Sequence, residues 1–302
     1  MREPLVTIAC ITYNHAKYIR DAIEGFLMQK TTFPIEIRIF DDASTDGTQE
    51  IIKEYAEKDD RIITFLMTEN QWSKGKYGLI DWIFPSAKGK YIALCEGDDY
   101  WTDPYKLQKQ VDFLEANKDY VLVYGLTKEI DLNGTETITN INDKDTTGIE
   151  ELLERGWFIR TGSIMFRNNL ITQFPEWYFN FKYGDYMLQV LLAQYGKIKK
   201  LDFISSVYRK HPGGISNEFS KNTINFRYDN ISLLKVLDKY FNSRYKKYIN
   251  KHIRNLYARI LIISISSKIP MNYGDLLNLI IKMNKKMFVV WSIKFMLKKF
   301  LK

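Results

Sequence analysis

A chain of 302 residues with 45% hydrophobic and 15% aromatic side chains can bury one large core or two smaller ones, which excludes a disordered or fibrous protein. It holds no run of about eighteen uncharged apolar residues, so no membrane-spanning helix is expected, and its start runs into a strand pattern with no leader-like apolar region. Charge is unevenly divided: residues 243–302 hold 14 of the 44 Lys and Arg but only one of the 36 Asp and Glu, Asp275, giving this segment +13 and the remainder −5. An acidic body with a basic tail predicts that the tail meets an anionic surface.

Residues 6–11 read as a buried strand, and Ile19, Ala22, Ile23, Phe26 and Leu27 then recur at the spacing of one helical face. A second strand is expected at 35–40, a second helix at 47–58 on the stripe Ile51, Ile52, Tyr55 and Ala56, and a third strand at 62–66. A helix around 78–87 leads to a strand at 91–95. Thr102-Asp103-Pro104 reads as a helix cap followed by proline in the first turn, ahead of the stripe Leu107, Val111 and Leu114. This alternation through residue 124 predicts an α/β fold with a mostly parallel, doubly wound sheet and right-handed crossovers. The polar stretch 131–147 reads as a surface loop or mobile flap. Strands are expected at 163–166 and 203–208, a helix at 186–195, and helical structure from about 221 onward. Cys10 and Cys95 lie within apolar runs and read as buried small hydrophobes, which fits a reducing, cytoplasmic setting.

Two acidic clusters stand directly after apolar runs: Asp41-Asp42, and Glu96-Gly97-Asp98-Asp99. In an open parallel sheet the ligand crevice lies beyond the carboxyl ends of the strands, so carboxylates at two strand ends converge on one bound molecule. Clustered carboxylates repel one another unless a cation or hydrogen-bond donors neutralise them. The simplest reading is a divalent metal with a phosphate-bearing ligand. Magnesium and manganese take oxygen ligands and keep places for phosphate oxygens, so the carboxylate–x–carboxylate spacing lets one group bind the cation and the other reach its waters or a ribose. Tyr13-Asn14 ends the first strand, where a ring can stack on a ligand. The segment 41–48 reads equally as an ordinary helix cap built by Ser44, Thr45 or Asp46. Lys74, Lys76 and Arg209 are candidates to meet a diphosphate, or are solvated surface charges. Trp101, Trp157, Trp177 and Tyr178 are candidate apolar faces for a ligand, Trp101 foremost, or else core aromatics.

The ordered set Thr12-Tyr13-Asn14, Asp41-Asp42-Ala43-Ser44-Thr45-Asp46 and Glu96-Gly97-Asp98-Asp99-Tyr100-Trp101 resembles the family 2 glycosyltransferases of GT-A fold. The resemblance covers roughly residues 4–215 and continues in Tyr183-Gly184-Asp185-Tyr186 and Tyr208-Arg209-Lys210-His211. It implies a GT-A catalytic domain at 1–218, nucleotide-binding over about 1–124 and acceptor-binding over about 125–218, with a basic helical region at 219–302. It also implies a metal-dependent, inverting transfer from a nucleotide-diphosphate sugar, a UDP-sugar above all, to a hydroxyl of a glycan or lipid-linked glycan in surface-polysaccharide synthesis. Asp42 would hold the nucleotide base, with Tyr13 against its ring and Ile11, Thr12, Asn14, Asp41 and Gly97 beside it. Glu96 would reach the ribose or a metal-bound water. Asp98 resembles the direct ligand of Mn2+ or Mg2+, and Asp99 its neighbour. Glu96 stands where many relatives have Asp, which leaves the partition among Glu96, Asp98 and Asp99 open. His211 matches a metal- or diphosphate-contacting histidine, or is a surface turn residue. Asp185 matches the catalytic base, or is the N-cap of the following helix. An acceptor hydroxyl is a poor nucleophile until a carboxylate takes its proton, while the departing diphosphate needs its charge absorbed.

Residues 282–302 interleave apolar side chains such as Phe288, Trp291, Ile293 and Phe295 with Lys285, Lys286, Lys294, Lys298, Lys299 and Lys302. This is the composition of a helix in a membrane interface, where each lysine contributes roughly 1 kcal/mol near an anionic bilayer. The alternative is a helical appendage with its lysines facing water. A cytoplasmic enzyme peripheral on the membrane is expected, with no specific nucleic-acid partner. Two other classes compete. A sugar-nucleotide pyrophosphorylase normally carries a Gly-rich phosphate loop where this chain has Thr12-Tyr13-Asn14-His15-Ala16. A nucleic-acid binder would use the basic tail but leaves the acidic set without a task.

Overall fold

The computed structural model describes residues 3–139, 144–214 and 223–266, together with Ile281. The chain divides into two compact units, one formed by 1–149 and 157–212, the other by 150–156 and 213–302.

The first unit is a ten-stranded sheet. Its opening strands are β1 (Val6–Thr12), β2 (Ile35–Asp41), β3 (Ile62–Leu66) and β4 (Tyr91–Leu94), all parallel and ordered β3-β2-β1-β4. The central strands are covered on both faces: every residue of β2 and of β4 is buried, and within β2 the buried Glu36 and Arg38 pair at 2.9 Å. The helix α1 (Ile19–Leu27) buries Ile19, Ala22, Ile23 and Phe26 against the core that Ile8, Ile37, Tyr91 and Trp101 share. Gly25 is required there, since a Cβ would lie 2.9 Å from the backbone nitrogen of Trp101. The helix α2 (Thr48–Ala56) follows β2, as its stripe predicts.

The second half of the sheet departs from the parallel expectation. Beyond β4 the order is β9 (Ile164–Arg167), β6 (Tyr120–Ile130), β10 (Lys197–Arg209) and β5 (Tyr100–Trp101). β9 is antiparallel to both β4 and β6, β10 is parallel to β6, and β5 is antiparallel to β10. The polar stretch after β6 is partly ordered as β7 (Glu136–Thr139), antiparallel to β6, and β8 (Thr146–Thr147), antiparallel to β10. Several boundaries also differ. Residues Gly78–Ile83 form a π-helical stretch running into the single turn α3 (Phe84–Ser86), with Gly78 pressed so closely on Phe40 that a Cβ would sit 2.4 Å from its ring. The helix α4 (Lys106–Ala116) starts after Tyr105 and not at Thr102, and Asp103 instead accepts the Tyr105 N–H at 2.8 Å. The helix α6 (Gly184–Leu192) begins earlier than its apolar stripe suggests. Cys10 and Cys95 are free thiols in the core, as expected.

In the second unit the short α5 (Ile149–Arg155) is joined by α7 (Thr223–Tyr240) and α8 (Lys246–Ser266). Lys251 pairs with Glu154, and His252 Nδ1 lies 3.1 Å from the Leu153 carbonyl oxygen. Burial pushes the His252 imidazole down to about 4. Among the described residues no helix is long and apolar enough to cross a membrane. The lysine-rich segment 282–302 lies outside the described residues.

Candidate active site

The loops after β1 and β2 are laced together. Asn14, at φ 55°, donates its backbone N–H to Ser44 Oγ at 2.7 Å and accepts the Thr45 N–H on its side-chain oxygen at 2.9 Å. The N–H groups of His15 and Ala16 then donate to Thr48 Oγ1 and Asp46 Oδ2, each at 2.9 Å. Asp41 is fully covered, and its oxygens accept from the Ser44 N–H, the Ser44 hydroxyl and Gln49 Nε2, so it shapes this loop. Asp42 accepts from the Gln71 N–H at 2.5 Å, Asn70 Nδ2 at 3.0 Å and the Trp72 N–H at 3.1 Å. A carboxylate offers about four lone-pair positions, so one remains for a ligand donor. Thr12 accepts the Asp42 N–H on its carbonyl at 3.1 Å, and the next residue, Tyr13, leaves half its surface exposed, at 49%.

The carboxyl end of β4 approaches the same loops. Gly97 donates its N–H to the Ile11 carbonyl at 3.0 Å, and a Cβ there would lie 2.5 Å from Thr12 Oγ1, so glycine alone allows this approach. Asp98 is then reached by two histidines: His211 Nε2 at 2.9 Å and His15 Nε2 at 3.7 Å from the same oxygen. Burial alone would raise the Asp98 pKa, but the His211 hydrogen bond and the two imidazoles hold it below its ordinary value. His15, Asp98 and His211 each offer one atom within 4.8 Å of the others, the one group of this kind among the described residues. Two imidazoles and a carboxylate suit manganese and related divalent cations. The fit is supported by His15, whose Nε2 faces Asp98 and whose burial favours the neutral, ligating form.

Asp99 is turned away from this group. Its carboxylate is buried, accepts the Arg209 N–H at 2.9 Å, and is pushed well up by desolvation and by Asp98 and Glu96. The Arg209 side chain stacks 4.2 Å over the Tyr100 ring, donates to the Asp98 carbonyl at 3.1 Å and pairs with Asp21. Lys74 pairs with Glu69, and Lys76 lies 3.6 Å from Asp81. Trp101, expected as a ligand-facing surface, is a core residue at 2% exposure: its Nε1 donates to the Gly162 carbonyl at 2.7 Å, with Phe26 and Lys106 against its ring. A short β5 paired to β10 turns the indole inward, which periodicity does not reveal.

Asp185 lies in the first turn of α6, whose N-cap position is held by Tyr183. Desolvation raises its pKa, against hydrogen bonds from the Tyr186 backbone and from Trp157, whose Nε1 is 3.2 Å from Asp185 Oδ1. Glu96 feels the charges of both Asp98 and Asp185, and burial together with these charges pushes it up to about 8. Glu96 therefore stands electrostatically between the histidine-bound carboxylate and Asp185. Sequence reasoning missed His15 as part of the metal-type cluster, although it sits two residues after Tyr13 at a strand end facing the acidic motif.

The pattern of glycosyl transferase family 2 matches residues 7–182. A Mycobacterium tuberculosis protein is 35% identical over 212 residues, covering 70% of this chain and 60% of that protein, so the chain spans about 60% of the length of this relative. An Escherichia coli protein, UDP-Glc:alpha-D-GlcNAc-diphosphoundecaprenol beta-1,3-glucosyltransferase WfaP, is 30% identical over 222 residues, covering 72% of this chain and 82% of that protein. The structure of S. aureus TarS 1-349 in complex with UDP superposes with a TM-score of 0.63 at 16% identity, over 88% of this chain and 75% of that one. The expected GT-A fold is thereby met, and the chain belongs to glycosyl transferase family 2.

Proposed function

We propose that this enzyme transfers a sugar from a UDP-sugar, with inversion, to a hydroxyl of a lipid-linked glycan in cell-surface polysaccharide synthesis. The observation that carries the reading is the separation of tasks among the half-buried carboxylates. Asp98 is held with His15 and His211, whereas Asp185 stands apart with a raised pKa, suited to take a proton. The nucleotide half is supported by the exposed Tyr13 ring and the remaining acceptor position of Asp42 beside the laced loops. His15, Asp98 and His211 would hold Mn2+, since two imidazoles disfavour the oxygen-seeking Mg2+, and when bound the ion absorbs charge on the departing diphosphate. Asp185 accepts the proton of the acceptor hydroxyl as that oxygen attacks the anomeric carbon, and a single displacement inverts that centre.

The lipid-linked acceptor is supported by the activity stated in the name of WfaP and by the basic, apolar composition of 282–302, which meets an anionic membrane surface at the cytoplasmic face. The test supplies UDP-glucose, UDP-galactose, UDP-GlcNAc and UDP-GalNAc with Mn2+ and a synthetic GlcNAc-diphospho-lipid, and follows released UDP and the mass of the lipid product. One donor is expected to extend the lipid, with Asp185→Asn lowering transfer by about a hundredfold or more. Absence of both UDP binding and product from every donor would overturn the reading.

A further inference from the structure

The segment 157–163 meets most of the site's working parts. Trp157 donates to Asp185, Arg160 pairs with Glu129, and the Thr161 side chain hydrogen-bonds Glu96. The Gly162 carbonyl accepts the Trp101 indole N–H at 2.7 Å, and the Ser163 carbonyl accepts Gln110 Nε2 at 2.9 Å. One short strap thus touches the side chains of both Asp185 and Glu96 and is tied to α4 and β5. Its entry is also set: Gly156 has φ 77°, and a Cβ there would lie 2.7 Å from His252 Cε1. Only glycine turns the chain at this point with the imidazole in place.

The Trp157 ring is itself held. It lies 4.5 Å from the Tyr186 ring, tilted, and 5.1 Å from the Tyr183 ring, edge to face. These two tyrosines flank Asp185 in sequence, so the indole packs on the helix start that carries the carboxylate while its N–H reaches Oδ1. An indole nitrogen donates and never accepts, so it can hold only an oxygen with a free lone pair. The donor also favours the ionised carboxylate, against the desolvation that disfavours it.

We propose that Trp157 is the positioning residue of Asp185, fixing the carboxylate's rotation and supporting its charged form so that it meets the acceptor hydroxyl. The proposal rests on the reading of Asp185 as the acceptor base. It assigns the strap a part in acceptor activation, separate from donor binding, so kcat should respond and the donor KM should not.

The test uses the full chain with the UDP-sugar that extends the GlcNAc-diphospho-lipid, and compares wild type, Trp157→Phe, Asp185→Asn and the double variant. A further protein carries benzothienylalanine at 157, which keeps the bicyclic shape and replaces the N–H by sulfur. Trp157→Phe and the benzothienyl protein should each lose about tenfold in kcat. Their donor KM and Tm should stay unchanged, and the acid limb of the kcat profile should move to higher pH. Arg160 and Glu96, the other charged groups facing Asp185, are intact in both. In the Asp185→Asn background Trp157→Phe should add no further loss. If Asp185→Asn is crippled while the benzothienyl protein keeps wild-type kcat and acid limb, Trp157 only packs and the proposal fails. If Trp157→Phe loses activity only through a lowered Tm, the benzothienyl protein still decides the matter. Wild-type transfer by Asp185→Asn would overturn the base assignment itself, which is a different and recognisable result.

Discussion

The carboxyl ends of β2 and β4 both present paired acids, yet the protein treats them in opposite ways. At β2, Asp41 and Asp42 are supplied with six donors from the loops 44–49 and 70–72. At β4, Glu96, Asp98 and Asp99 share fewer protein donors, one Glu96 oxygen is buried with no partner, and Glu96 and Asp99 have raised pKa values. On the function proposed above, donor supply, more than acidity, separates a carboxylate that builds a pocket wall from one left to act on a ligand. Asp185, half-buried, shares with Glu96 and Asp99 a raised pKa.

The difference can be broken at its reactive end first. Asp98→Asn removes the charge shared by His15 and His211, and transfer is expected to fall roughly a thousandfold, measured as lipid product formed with Mn2+ present. At the pocket-wall end, Asp42→Asn replaces one accepting oxygen by a donor that faces the donors of loop 70–72. The expected outcome is a donor KM about tenfold higher with kcat nearly preserved, read from initial rates over a range of donor concentrations. A mutant with intact KM and lost kcat would reverse the roles given to the two strand ends.

A third effect lies away from both clusters and concerns stability rather than transfer. His252 is buried and neutral, with a pKa of about 4 against the ordinary 6.5. Its depressed value means that the unfolded chain binds a proton the folded chain refuses. This contribution is fully present above about pH 6.5 and is lost as pH falls toward 4, by up to about 3 kcal/mol. His252→Gln should flatten that part of the acid limb in urea unfolding, and an unchanged slope would exclude the buried imidazole as its source.

Much of the first half of the fold was legible because each strand from β1 to β4 is an apolar run closed by a polar end, and a parallel sheet buries both faces of such strands. The ordering of β9 beside β4 was not legible, since an apolar four-residue strand carries no mark of its direction or partner. Asp98 and Asp185 could be found from strand-end placement and the family pattern. The joining of His211 to Asp98, 113 residues apart, could not be drawn from spacing. Trp157 was visible as an aromatic, but its indole N–H acquires meaning only where α6 and the strap meet.

By itself the sequence determined the α/β class, the strand-end acids and the family, because apolar periodicity and ordered motifs are local properties of the chain. Tertiary structure decided which of those acids are saturated by protein donors and which are not. It also brought His15 into the metal-type cluster and put Trp101 in the core rather than at the surface. Burial and hydrogen-bond partners come from segments distant in sequence, so the pKa values and orientations that make carboxylates chemically different exist only once the sheet is assembled.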